Sequence, residues 1–287
     1  MLFSEAANKF LVYMASIDRS PRTMDVYGRD LGYIRKYLEE RKNGPVYLED
    51  VTQEALEDFM RYAKEVKQYS PNTRSNYFYT LRALYAFAYK KGLAEKNIAA
   101  SMDFMRMPKR ERIYLTAKEV EAVVDGIESP LIKLMAIFLF NTGLRISECL
   151  NLTLGDVDLE KRTIHVRQGK GRKDRLVPIN NKLYELLLDY RENWRDAYGS
   201  EFFFATRKTG SISYSYVNAT IRNAAKKAGL KKPVSCHILR HSFASALVKK
   251  NVNLVQIQKL LGHESLAVTS IYTHTNMEAL SDAVNIL

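Results

Sequence analysis

Two matching helix-start signals constrain this chain more than any other feature. Ser20-Pro21-x-Thr23-x-x-x-Tyr27-x-x-x-Leu31 repeats as Ser70-Pro71-x-Thr73-x-x-x-Tyr77-x-x-x-Leu81, offset by 50 residues. A serine at the N-cap accepts a hydrogen bond from an orphan backbone N–H. Proline at the first helical position gives up only a donor that the helix cannot use. The large side chains that follow recur at helical spacing, not in strand alternation. The same punctuation continues. Ser4 is placed to cap a helix running to about Ser16, and Thr52 one running to about Val66. Thr116-x-x-Glu119 is a capping box that opens a helix to about Gly126, and Ser129-Pro130 opens one ending near Asn141. Leu144 to Leu152 reads as a short helix. Further helices are expected at about 181–197, 213–228, 238–250, 253–261 and 276–285. Thr163–Arg167 and Arg175–Ile179 read as two strands joined by a basic turn. The expected fold is therefore mainly α with a small β-sheet in its second part.

The length of 287 residues suits two domains. The expected division is a helical domain over 1–100, a basic linker over 101–114 and a second domain over 115–287. Pro108 interrupts any helix in the linker, beside Lys109, Arg110 and Arg112. Two readings stand for it: a solvated tether, or a strap across a DNA backbone. Two stand for the twin Ser-Pro starts as well. One is a good start signal used twice. The other is a duplicated hairpin offering helix N-termini to phosphates, with Arg22, Arg74 and Arg82 adding charge.

Charge narrows the partner. Lys plus Arg is 44 against 32 Asp plus Glu, a formal +12. Residues 1–108 carry a net +3 and residues 109–287 a net +9. A surplus this large points first to nucleic acid and second to an anionic membrane surface. The hydrophobic share of 46% excludes a disordered basic tail. Two cysteines, Cys149 and Cys236, are too few for a disulfide framework. Glu5 and Asn8 interrupt the first apolar residues, so no signal peptide is read. The longest apolar run, Leu131 to Phe140, contains Lys133 and is about half a bilayer span. The expectation is a cytoplasmic protein with no membrane partner.

Four segments carry chemistry. In Thr142-Gly143-Leu144-Arg145-Ile146-Ser147-Glu148, Arg145 starts a helix after a glycine turn and Glu148 follows one turn later on the same face. Alone, that is a surface ion pair. Gln168-Gly169-Lys170-Gly171-Arg172-Lys173-Asp174-Arg175 crowds basic residues onto a hairpin turn. It is either a solvated tip or one that reaches a phosphate or a DNA groove. Cys236-His237-Ile238-Leu239-Arg240-His241 places His237 and Arg240 on one helix face. His237 and His241 also have metal-ligand spacing, but the arginine between them would repel a cation, so no metal is expected. Gly262 can end a helix and leave His263 at the bend, and Tyr272 follows nine residues later. With 18 tyrosines in the chain, a lone tyrosine reads more simply as packing. Together these residues make a kit for phosphoryl transfer without a metal. Arginine grips two phosphate oxygens, histidine and lysine move protons, and a tyrosine oxygen can form a covalent intermediate.

The order Arg145…Lys170…His237-x-x-Arg240…His263…Tyr272 resembles the tyrosine recombinase (phage integrase) superfamily. The segments TGLRISE, GKGRKDR, HILRHSFA and LLGHESLAVTSIYTH resemble those of Xer site-specific recombinases, archaeal ones included. The motifs span 142–274, and the helical N-terminal part also fits. The resemblance implies a helical core-binding domain and an α+β catalytic domain that close on DNA as a C-shaped clamp. It implies that Tyr272 attacks a DNA phosphate to form a 3′-phosphotyrosyl link. Arg145 and Arg240 would hold the non-bridging oxygens and Lys170 would protonate the leaving 5′-oxygen. His237 would accept the tyrosine proton and His263 would donate to the phosphate. Glu148 and His241 would support the site from behind. DNA-binding candidates are Arg22, Arg74, Arg82, Lys109, Arg110, Arg172, Lys173 and Arg175. No cofactor is implied. The implied partners are a double-stranded recombination site and further copies of the chain, four on two sites, joined by the helix at 276–285. Chromosome-dimer resolution is the implied role. Mobile-element integration or excision, a topoisomerase-like strand cutter and a non-catalytic DNA-binding protein are the alternatives.

Overall fold

The computed structural model describes residues 1–103, 113–167, 174–195 and 199–262. They fall into two compact units, Met1–Arg110 and Glu111–Leu287, each with its own core.

The first unit contains α1 (Phe3–Ser16), α2 (Pro21–Lys42), α3 (Gln53–Glu65) and α4 (Pro71–Lys90). The twin starts cap as their sequence demands. Ser20 Oγ accepts from the Thr23 N–H and Ser70 Oγ from the Thr73 N–H, both at 3.2 Å. The two threonine hydroxyls lie 2.8 and 3.0 Å from the serine oxygens. Ser20→Ala and Ser70→Ala should each lower the unfolding free energy by about 1 kcal/mol in urea denaturation. Unchanged midpoints in both would show that water replaces the hydroxyls at no cost. Ser4 does not cap α1. Leu2 holds the N-cap position, and its N–H donates to Glu5 Oε2 at 3.0 Å.

The repeat also returns in the packing. Leu31 and Leu81, equivalent in the two copies, are both buried. Thr80 Oγ1 donates to Asp30 Oδ2 at 3.2 Å, and these two positions also differ by 50. Burial raises the Asp30 carboxyl pKa, opposed by this hydrogen bond and by Arg29. Phe3, Phe10, Ile34, Leu56, Leu84 and Tyr85 fill the core around this crossing.

The second unit is built on α6 (Pro130–Thr142), an apolar helix whose Ile132, Met135, Phe138 and Leu139 are buried. Around it lie α5 (Ala117–Asp125), α7 (Ile146–Leu150), α8 (Asn181–Asp189), α9 (Tyr214–Lys227), α10 (Cys236–Lys249) and α11 (Leu254–Leu261). The Thr116–Glu119 capping box forms, with bonds of 2.8 and 3.3 Å. A three-stranded antiparallel sheet lies beside them in the order β1 (Val157–Asp158), β2 (Thr163–Val166), β3 (Arg175–Pro178). Its register pairs Val157 with Ile164, and Val166 with Arg175. β1 has two residues, too few to show a period in sequence. The helix expected at 181–197 ends at Asp189 and passes into a wide turn over Tyr190–Trp194. There the Tyr190 hydroxyl donates to the Phe203 carbonyl at 3.0 Å, and Trp194 Nε1 donates to Asp189 at 2.9 Å. The fold is thus mainly helical with a small sheet, as expected. The helix expected at 276–285 lies outside the described residues. Among the described residues no helix is long and apolar enough to cross a membrane.

Candidate active site

The site begins where α6 stops. Gly143 takes a left-handed φ of 64°, and its N–H bonds back to the Leu139 carbonyl at 3.0 Å. Thr142 Oγ1 donates to the Phe138 carbonyl and accepts from the Leu144 N–H, at 2.7 and 3.3 Å. The chain therefore leaves α6 along one path, and Arg145 becomes the N-cap of α7. The Arg145 N–H donates to Glu148 Oε2 and its Nη1 to Oε1, both at 2.7 Å. The expected three-residue pairing is present.

Glu148 also serves residues far away in sequence. Arg175 on β3 forks onto it, Nη1 to Oε1 at 3.0 Å and Nη2 to Oε2 at 2.8 Å. Arg240 Nη1 lies 3.8 Å from Oε2. Three guanidiniums thus converge on one carboxylate whose side chain is 6% exposed. Burial raises the pKa of such a group. Here the Arg175 hydrogen bonds and charge, with the Arg145 N–H and guanidinium, outweigh burial and pull it down to about 2.

α10 carries His237, Arg240 and His241. Ser235 Oγ caps it by accepting from the Ile238 N–H, and Asn218 Oδ1 accepts from the Cys236 N–H. Ser242 Oγ donates to the Ile238 carbonyl and accepts from the Leu115 N–H, both at 2.8 Å, which ties α10 to the start of the second unit. Arg240 is buried. Its Nη1 donates to the Gly143 carbonyl and its Nη2 to the Leu261 carbonyl, both at 2.7 Å. His237 is exposed and His241 half-buried, with ring centroids 4.3 Å apart, edge to face. α11 ends at Gly262 in the left-handed conformation, as its position in sequence requires.

A cleft of about 600 Å³ adjoins Arg145. Ser147 lines it from α7 and Asn151 from the C-cap of that helix, with His165 on β2 and Arg167 just beyond it. Arg167 Nε contacts Asp156 Oδ1 at 2.6 Å, and Thr153 donates to Asp156 Oδ2 from both N–H and hydroxyl. Burial raises the Asp156 pKa, but the Thr153 bonds and the Arg167 charge hold it below the usual range. Sequence spacing does not mark the Asp156–Arg167 pair. A charged pair eleven residues apart carries no periodic signal. Cys149 and Cys236 are buried free thiols, and burial pushes both upward, Cys236 to about 11. Neither is poised as a nucleophile.

Of the expected catalytic residues, Arg145, His237 and Arg240 lie in this second unit. Lys170, His263 and Tyr272 lie outside the described residues, as do Lys109, Arg110, Arg172 and Lys173. Arg22 and Arg82 are exposed on the first unit, and Arg82 lies over the Phe78 ring. Arg74 is half-buried, with Nε donating to the Tyr69 carbonyl at 3.2 Å. Arg175 departs from its expected place at the DNA surface. Its side chain is 9% exposed and its Nε and both Nη atoms donate inward. The cause is strand alternation: Val177, two residues on, faces the core and carries Arg175 to the same side.

Comparison with known proteins identifies the family. The Phage integrase family model matches residues 113–279, and the Phage integrase SAM-like domain matches residues 3–104. The chain is 32% identical over 277 residues to tyrosine recombinase XerC of Oceanobacillus iheyensis, covering 92% of this chain and 89% of that protein. It is 31% identical over 286 residues to tyrosine recombinase XerA of Pyrococcus furiosus, covering 99% and 94%. A solved structure of a XerH site-specific recombinase bound to its difH substrate, a pre-cleavage complex, is 26% identical with a TM-score of 0.72, covering 92% of this chain and 79% of that one. The buried arginine cluster and the two family matches together place this chain in the phage integrase family of tyrosine recombinases, enzymes that cut and rejoin DNA through a tyrosine nucleophile.

Proposed function

We propose that this chain is an Xer-type recombinase acting at paired duplex DNA sites, with Tyr272 as nucleophile. The Tyr272 oxygen attacks the scissile phosphorus, forming a 3′-phosphotyrosyl ester as the bond to the 5′-oxygen breaks. The tyrosine proton passes to His237 and the leaving 5′-oxygen takes a proton from Lys170. The free 5′-hydroxyl of a partner strand then attacks the phosphotyrosyl bond, which rejoins DNA and releases Tyr272. Each step exchanges one phosphate ester for another, so rejoining draws on no nucleotide cofactor. An unperturbed tyrosine ionises near pH 10, so a proton acceptor at His237 meets a real need.

The observation that supports this reading most is the convergence of Arg145, Arg175 and Arg240 on Glu148. One carboxylate offsets one guanidinium, and the arrangement suits a further anion. Arg145, one quarter exposed, is presented to it. Arg240 acts from a fixed position, held by the Gly143 and Leu261 carbonyls, so charge developing on the phosphate meets a preorganised field. Glu148 orients Arg145, and His263 donates to the same phosphate. The remaining basic surface grips flanking duplex, with Arg22, Arg74, Arg82, Lys109, Arg110, Arg172 and Lys173 as candidates. Four copies assemble on two sites through the segment at 276–287, and the role is resolution of chromosome dimers.

A duplex nicked close to the cleavage point tests the chemistry, because the short cleaved fragment diffuses away and traps the enzyme on DNA. Wild type should accumulate a covalent adduct, and Tyr272→Phe should give none above background. An adduct of equal yield from Tyr272→Phe, or none from wild type on any candidate site, would sink the reading.

A further inference from the structure

We propose that Arg175 is a positioning residue for cleavage, holding the carboxyl end of α11 against Glu148 and Arg145. The inference rests on the recombinase reading above and assigns a task to a residue that the catalytic scheme does not use.

Arg175 makes three bonds to two partners. Its fork matches the two oxygens of Glu148, a geometry that a lysine cannot copy. Its Nε donates to the Leu260 carbonyl at 2.9 Å. That carbonyl is among the last four of α11, which have no partner within the helix and carry the negative end of its dipole. The next carbonyl, Leu261, accepts from Arg240 Nη2. Two adjacent carbonyls are thus each met by an inward-facing guanidinium, one from β3 and one from α10. Gly262 follows at a φ of 64°, and a Cβ there would lie 3.1 Å from Arg175 Cδ and Nη1. Arg175 therefore fills the space beside the helix end. His263 is the next residue in sequence, and Tyr272 follows ten residues after Gly262.

The same contacts say which half of the reaction depends on Arg175. β3 pairs with β2 through backbone bonds from Thr163–Pro178 to Val166–Arg175. Those bonds survive loss of the side chain and keep the root of the Lys170 hairpin in place. What is lost is the grip on α11 and one side of Glu148. The effect falls on phosphate and nucleophile alignment, not on protonation of the leaving group.

The test uses the full chain with Arg175→Lys, which keeps a positive charge opposite Glu148, and Gly262→Ala, which presses on Arg175 from the other side. Single-turnover cleavage is measured on nicked duplex and on the same duplex with a 5′-bridging phosphorothiolate, whose sulfur leaves without protonation. Thermal melting and DNA affinity are measured alongside. Both variants should melt cooperatively and bind DNA within about twofold of wild type. Both should cleave about 100-fold more slowly, a loss of the size expected for roughly 1 Å of misplacement. The phosphorothiolate should leave that loss unchanged, while it rescues Lys170→Ala. Wild-type cleavage by either folded variant, a loss confined to DNA affinity, or rescue of Arg175→Lys by sulfur would each overturn the inference. Failure of the recombinase reading itself would register separately, as absence of a wild-type adduct on the same DNA.

Discussion

Glu148→Gln should lower the unfolding free energy of the second unit by about 3 to 5 kcal/mol at neutral pH. The carboxylate is 6% exposed and accepts from the Arg145 N–H, the Arg145 guanidinium and both Nη atoms of Arg175. A glutamine keeps the shape but has one acceptor oxygen and no charge. Its amide nitrogen would point a donor at a guanidinium. Arg175 and Arg240, 9% and 3% exposed, would keep their charge away from water without their counter-ion. Acid titration supplies a second reading of the same interaction. Because the folded-state pKa of Glu148 is lowered from 4.5 to about 2, its contribution is fully present above about pH 4.5 and fades as pH falls toward 2. At about 1.4 kcal/mol per pH unit of displacement, the whole contribution is roughly 3 kcal/mol. Urea denaturation across that window should show wild type losing stability more steeply than Glu148→Gln. Parallel curves would mean that the carboxylate does not carry the cluster.

A larger structural disruption is expected from a single methyl group at Gly143. A Cβ there would sit 2.3 and 2.6 Å from two ring carbons of Phe243 and 3.0 Å from Leu261, at a φ of 64° that side chains rarely adopt. Steric overlap and backbone strain should together cost about 2 to 6 kcal/mol. Activity should suffer beyond the stability loss. The Gly143 carbonyl holds Arg240, and Arg145 is two residues downstream. Gly32→Ala is the contrasting case. It lies within α2, nothing stands within 4 Å of its Cβ position, and alanine should stabilise the helix by about 0.5 to 1 kcal/mol. Thermal melting of the two variants should therefore move in opposite directions. Equal behaviour would refute the steric account of Gly143.

Much of the local structure was legible because its causes are local. Ser20, Thr52, Ser70, Thr116 and Ser129 each cap a helix by accepting from a backbone N–H three residues on. Gly143 and Gly262 end helices because only a residue without a side chain turns left-handed there at no steric cost. Arg145 and Glu148 pair because three residues bring side chains onto one face. Arg175 shows where a strong signal hid a correct one. The run of charges in Arg172-Lys173-Asp174-Arg175 suggests solvent, yet β3 alternates. Leu176 is 65% exposed and Val177 is 1% exposed, so the apolar residue faces out beside an arginine that faces in.

The sequence alone determined the mainly helical character, the capped starts of α2 to α6 and the glycine stops after α6 and α11, and it named the residues whose chemistry suits a phosphate. Each follows from groups within about one helical turn or from residue chemistry. Only tertiary structure decided how those residues are used. Glu148 meets Arg175 across 27 residues, Arg175 meets the Leu260 carbonyl across 85, and Arg240 meets the Gly143 carbonyl across 97. No periodicity encodes such pairs. They exist because packing α6, α7, α10, α11 and β3 together leaves a buried carboxylate and several orphan helix-end carbonyls. Charged donors have to be placed there, since an unpaired buried polar group costs more than the bond that satisfies it.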